Sequence, residues 1–271
     1  MKILFTDLDG TLLNNESQVS EKTQNFIKDF ISAGNKLVLS SGRPLDSILE
    51  VKEQANLNYP GIFIIASNGT LVYDCDHEKP IRELRMPLSY VSYLQAQANA
   101  QNLHIQTYND DAIITAVEDE EIKFYRKRIH LPLLLAKDYT SALTKEPFKM
   151  LAIHLTDHSK LTAFCDSIAT WANDKIQYIF SNDMYLELFV KEAGKGNAVR
   201  FVCDYLGVSI TDSFAAGDAE NDISMLEAAG CGIAMANAAP NVKKAADVIT
   251  PKDNDNDGLA DYLQSILNIS E

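Results

Sequence analysis

No two cysteines in this sequence form a CxxC pair or stand at a metal-binding spacing; the four present lie alone at positions 75, 165, 203 and 231. That argues against a zinc ribbon or a disulfide framework, and makes reduced, mostly buried thiols in a cytoplasmic protein the expectation. Long hydrophobic runs are also missing. The longest, residues 61–66 (GIFIIA) and 131–136 (LPLLLA), fall far short of a membrane span. Asp7 interrupts the first apolar stretch too early for a secretory signal. Positive charge is scarce: 24 Lys and Arg face 38 Asp and Glu, a net charge of −14. With no basic run, nucleic acid and anionic membrane are poor partners, because phosphate backbones select for Lys and Arg. What remains is an ordinary folded composition, 46% hydrophobic and 23% charged, in a 271-residue chain long enough for one or two domains.

Short apolar runs at 2–6, 36–40, 62–66, 212–216, 231–236 and 246–250 read as strands buried on both faces. Between them, residues 20–33, 196–206, 220–229, 240–246 and 257–268 carry helical spacing, the first opened by Ser20 and stopped by Gly34. Strands alternating with helices predict an α/β fold with a doubly wound parallel, Rossmann-like sheet. Residues 83–186 differ. Their β runs are more alternating and polar (147–155, 176–180) and accompany helical stretches at 88–101 and 158–172. The expected organisation is a core of 1–82 plus 187–271 with an inserted α+β layer at 83–186.

Four of the six strand candidates end in a small polar or acidic residue: Asp7, Ser41, Asn68 and Asp218. In open α/β sheets ligands bind outside the carboxyl ends of the strands, so independent strands would deliver these groups to one crevice. In DLDGT (7–11), Asp7 and Asp9 would point the same way if the strand continued, with Gly10 allowing a tight departure. One acid could attack while its neighbour shuttles protons. In SSGRP (40–44), the serines and Pro44 suit a helix start, a ready anion site. GDAEND (217–222) brings Asp218, Asn221 and Asp222 to another strand end, where Asp218 could alternatively be a simple cap. Asp7, Asp9, Asp218 and Asp222 crowded together call for a counter-cation, and oxygen ligands without His or Cys indicate Mg2+. Lys195, flanked by glycines in GKGNA, could supply a protein cation, although Gly196 excludes a P-loop. Residues 253–258 (DNDNDG) match part of an EF-hand loop, but its last ligand position holds Gln264, and a polar loop capping the final helix is the simpler reading. Tyr185 and Glu187, just before the return to the core, could contact substrate, with ordinary strand packing the simpler reading; His154 with His158 reads as a strand running into a turn.

DLDGT (7–11), SSGRP (40–44), Lys195 in GKGNA (194–198) and GDAEND (217–222), in this chain order, resemble the four motifs of the haloacid dehalogenase superfamily. The long insertion, the Asn68-Gly69 pair, KGNAV (195–199), AMANA (234–238) and NDNDG (254–258) are similar to its Cof-type, subfamily IIB phosphatases. Ser41 stands where threonine is common, which keeps the hydroxyl. The resemblance implies Asp7 as a nucleophile forming an aspartyl-phosphate and Asp9 as the acid and base. It implies Mg2+ held by the Asp7 carboxylate, the Asp9 backbone carbonyl and Asp218, with Asp222 close by. Phosphoryl oxygens would be held by Ser41, Gly42, Lys195, Asn221 and the Leu8 amide. The expected activity is hydrolysis of small phosphorylated metabolites, sugar phosphates first, with the inserted layer as a cap that sets specificity. A phosphomutase-like enzyme and a catalytically silent metabolite sensor are the alternatives; the intact Asp7, Asp9, Lys195 and Asp218 argue against silence.

Overall fold

Apolar runs of four or five residues become strands whose side chains are buried on both faces. In the computed structural model, which describes residues 1–127, 129 and 131–267, the strand Ile3–Thr6 lies between Lys36–Ser40 and Ser213–Gly217, parallel to both. Ile62–Ala66 follows on one side, and Cys231–Ala234 and Val248–Ile249 follow on the other, all parallel. The order therefore reverses at the first strand, which makes its carboxyl end the topological switch point. An antiparallel hairpin, Leu71–Asp74 with Lys79–Glu83, completes eight strands. This hairpin was not foreseen, because its outer strand, KPIRE, is largely exposed and carries no apolar alternation.

The helices follow their apolar stripes. Glu21–Ser32 is capped by Ser20, whose Oγ accepts from the Thr23 N–H at 3.1 Å, and it buries Phe26, Ile27, Phe30 and Ile31 along one face. Full burial of each of these side chains contributes roughly 1.5–3 kcal/mol. Pro44, expected inside the first turn, is the cap residue of the helix Leu45–Gln54 instead; its extended ψ of 159° leaves the helix to begin one residue later. The last helix runs Gly258–Leu267, and position 268 of the expected span lies outside the described residues.

The chain divides into two compact units, Met1–Glu83 with the described part of Gly194–Glu271, and Leu84–Ala193. The second unit holds a six-stranded, mainly antiparallel sheet. The helices Leu88–Ala100 and His158–Ala172 share one apolar core with it, through Val91, Leu94, Phe164 and Ile168 against Ile105, Ala152 and Leu188. The expected return to the core at residue 187 falls inside the strand Tyr185–Val190. That strand pairs with neighbours on both sides, so it belongs wholly to this unit. Among the described residues no helix is long and apolar enough to cross a membrane.

Candidate active site

Asp7 follows the first strand directly, and its N–H still donates to Ala216 O in the neighbouring strand at 2.9 Å. The backbone then folds back at once: Leu12 N–H donates to Asp7 O and Leu13 N–H to Leu8 O. Gly10 sits in this turn with φ of +77°, and a Cβ there would come within 2.5 Å of Asp218 Oδ2. Only glycine satisfies both conditions. Thr11, from the same turn, donates its hydroxyl to Asp218 Oδ1 at 3.0 Å. The nucleophile candidate and the carboxylate from the 213–217 strand are thus locked to one short segment.

Lys195 opens the helix Lys195–Leu206 and is completely buried. Its Nζ donates to Asp7 Oδ1 at 2.6 Å and to Asp222 Oδ1 at 2.5 Å. The other Asp222 oxygen accepts from the N–H groups of Asp218 and Ala219, at 3.0 and 3.1 Å, closing the turn after the 213–217 strand. Asp222, rather than Asp218, is therefore the residue that satisfies this helix start. Asp7, Asp218 and Asp222 each offer a carboxylate oxygen within 4.8 Å of the others, the group of metal-ligand type found among the described residues.

Electrostatics follow from that crowding. Burial and the neighbouring Asp222 carboxylate push Asp7 up to about 8, Lys195 offsetting only part of the rise. Burial and Asp222 likewise raise Asp218 to about 6. Burial alone would lower Lys195, but Asp222 and Asp7 outweigh it and hold the ammonium well above its ordinary range. Three carboxylates share one ammonium, which leaves negative charge uncompensated in a low-dielectric site. All the available donors are hard oxygens, so a divalent cation of the Mg2+ type fits the residues present.

The Asp9 carboxylate is not part of this group. The strand ends before Asp7, so the two-residue alternation that would have aligned Asp9 with it does not apply. Arg43 instead grips Asp9 in a bidentate pair, Nε on Oδ2 at 2.8 Å and Nη2 on Oδ1 at 2.5 Å, with the Asp9 side chain 57% exposed. The expected crowding of four carboxylates is corrected to three. The sequence SSGRP carries no signal for this role of Arg43, because the contact depends on the turn at Gly10.

Ser41 is buried, and its Oγ accepts from the Arg43 N–H at 3.2 Å. Leu8 is fully buried beneath the turn. Asn221 donates its amide to Asn68 Oδ1 at 3.2 Å, and the Asn68 carboxamide also lies against Gly42. Ser67 and Asn68 both hold left-handed backbone, with φ of 48° and 56°. Such backbone costs a non-glycine residue on the order of 1 kcal/mol or more, least for Asn.

The EF-hand-like loop resolves differently. Asp253 accepts from Asn256, Asp255 from the backbone and side chain of Asn15, and Asp257 from the Ser20 hydroxyl. Its carboxylates serve three separate protein partners. Asn254 adds a bond to Leu13 O at 2.8 Å, and Asn237 one to Gly10 O at 2.8 Å. The loop straps the segment after the first motif, which is a structural use of residues 253–258.

Residues 4–263 match the family model of haloacid dehalogenase-like hydrolases. A Streptococcus pyogenes serotype M6 protein, M6_Spy0533, is 30% identical over 271 aligned residues, covering 97% of each chain. The 5-amino-6-(5-phospho-D-ribitylamino)uracil phosphatase YwtE of Bacillus subtilis is 28% identical over 98% of each chain. The crystal structure of a haloacid dehalogenase-like hydrolase from Bacteroides thetaiotaomicron, 30% identical, superposes with a TM-score of 0.82 over 98% of this chain and 99% of that one. The chain belongs to the haloacid dehalogenase-like hydrolases, and within them it is a phosphatase. The resemblance read from the motifs is borne out over the whole chain.

Proposed function

We propose that this phosphatase hydrolyses sugar phosphates and related polyol phosphates in a Mg2+-dependent reaction that passes through an aspartyl-phosphate on Asp7. The observation that carries this reading is the buried Lys195 ammonium fixed between Asp7 and Asp222, with Asp218 beside them. An Asp7 carboxylate oxygen attacks phosphorus and the bond to the leaving oxygen breaks, with Asp9 donating the proton that oxygen needs. Asp9, now a carboxylate, takes a proton from the water that cleaves the acyl phosphate, releasing inorganic phosphate and restoring Asp7. Lys195, Ser41, Gly42, Asn221 and the Leu8 amide hold the phosphoryl oxygens, since a loose transition state is stabilised mainly by positioning and charge. Asp7, Asp218, Asp222 and the Asp9 carbonyl would hold the cation, which supplies shielding between the nucleophile and an anionic substrate. The four free cysteines support a cytoplasmic setting.

We assign specificity to the second unit, Leu84–Ala193. It carries a half-buried Lys149–Glu187 pair at 2.7 Å and a chain of hydrogen bonds from Gln106 to the Tyr108 and Tyr125 hydroxyls. Paired donors and acceptors beside aromatic rings are the chemistry that recognises hydroxyl-rich molecules. By its name, the relative YwtE acts on a phosphorylated ribityl compound, and it supports this substrate class.

Two expected results test the assignment. Asp9→Asn should lose about 100-fold or more on alkyl phosphates, whose leaving group needs a proton, and much less on p-nitrophenyl phosphate. Equal losses on both would remove the acid role from Asp9. Adding Mg2+ to EDTA-treated protein should raise its thermal midpoint more at pH 8 than at pH 5.5, where protons compete for the carboxylates. A midpoint unmoved by the cation at both pH values would remove the metal from the reading.

A further inference from the structure

Ser67, Asn68 and Gly69 form three consecutive left-handed residues, with φ of 48°, 56° and 91°, at the end of the strand Ile62–Ala66. Three separate segments of the candidate site are tied to this turn. Asn68 N–H donates to Ser41 O at 3.1 Å, and Ser67 N–H to Arg43 O at 2.9 Å, fixing the turn of the second motif. Gly194 N–H donates to Asn68 O at 2.9 Å, one residue before Lys195. A Cβ on Gly69 would meet Gly194 O at 2.4 Å, so this approach requires glycine there. The Asn68 carboxamide lies against Gly42 and accepts from the Asn221 amide at 3.2 Å. The residue is 1% exposed, so its polar side chain is committed to the site and not to solvent.

We propose that Asn68 is a positioning residue for phosphoryl binding. Its carboxamide orients the Asn221 side chain, while its backbone sets Ser41 and Lys195 in mutual register. The inference rests on the phosphatase reading above, in which Asn221, Ser41 and Lys195 hold phosphoryl oxygens. The competing account is that asparagine stands here only because it tolerates left-handed backbone.

Asn68→Gly and Asn68→Ala separate the two accounts, since both remove the carboxamide but only glycine accepts φ of 56° without strain. Both variants are expected to lose about tenfold in kcat/KM on p-nitrophenyl phosphate, and to raise the inhibition constant of inorganic phosphate about as much, the scale of one lost buried hydrogen bond. The thermal midpoint should fall in both variants, and further in the alanine variant, which adds backbone strain to the lost hydrogen bond. In an Asn221→Ala background, Asn68→Gly should cost less than about a further twofold. A glycine variant with wild-type turnover and phosphate affinity overturns the proposal in favour of backbone tolerance. Additive losses in the double variant overturn the action through Asn221. Wild-type protein that releases no phosphate would instead strike at the phosphatase reading, a result distinguishable from either.

Discussion

Asp7→Asn is expected to abolish turnover, lowering kcat by about 10^4-fold or more, because an uncharged amide cannot form the acyl phosphate. The fold should survive. The substitution is isosteric, and Lys195 keeps its bond to Asp222 Oδ1 at 2.5 Å. Stability supplies an independent readout. Burial and Asp222 raise the Asp7 carboxyl to about 8 in the metal-free protein, above the ordinary carboxylate range. The native state then holds this proton more tightly than the unfolded chain does. The stabilisation is complete below the ordinary carboxylate value near 4 and is lost as pH rises through about 8. Asparagine does not titrate, so in EDTA the variant should gain stability relative to wild type between pH 5 and pH 8. Urea unfolding at the two pH values measures this, and a gap that narrows with rising pH would contradict the electrostatic account.

Lys195→Met carries the second large effect. The ammonium is wholly buried and is the cation paired with both Asp7 and Asp222. Removing it leaves buried carboxylates facing one another, a loss of about 3–5 kcal/mol when one partner of a buried ion pair is deleted. Activity should fall by about 10^3-fold, the scale of a lost charge-stabilising donor. The instability should be greater at pH 8 than at pH 5.5, because Asp7 and Asp218, raised to about 8 and about 6, protonate on acidification and relieve the repulsion. An equally stable variant at pH 8 would mean that the carboxylates are compensated by groups other than Lys195.

Arg43 bears on the same chemistry. Its bidentate hold on Asp9 keeps that side chain a carboxylate, so the pair must open before Asp9 carries the proton that the proposed reaction donates.

The parallel core was legible because strands buried on both faces must be apolar, and Ile3–Thr6, Lys36–Ser40 and Ile62–Ala66 read as such runs. The edge hairpin was not, since an exposed edge strand such as Lys79–Glu83 has no buried face to write into its sequence. In the second unit, His104–Tyr108 escaped for a related reason: His104, Gln106 and Tyr108 form hydrogen bonds on one sheet face, which replaces the apolar alternation. Asp7, Lys195, Asp218 and Asp222 could be found because each stands at a strand or helix terminus, and strand order then dictates their convergence. The partnership of Asp9 with Arg43 could not, because it depends on where the backbone leaves the strand. Asn68 was visible as a strand-end residue, but its left-handed backbone and its bond with Asn221 exist only in three dimensions.

The most direct test is phosphate release from a panel of sugar, nucleotide and cofactor phosphates, run with Mg2+ and with EDTA beside the Asp7→Asn variant. The account predicts release that requires Mg2+, is greatest on sugar or polyol phosphates, and vanishes in the variant. Release that persists in Asp7→Asn, or that is indifferent to EDTA, would contradict it.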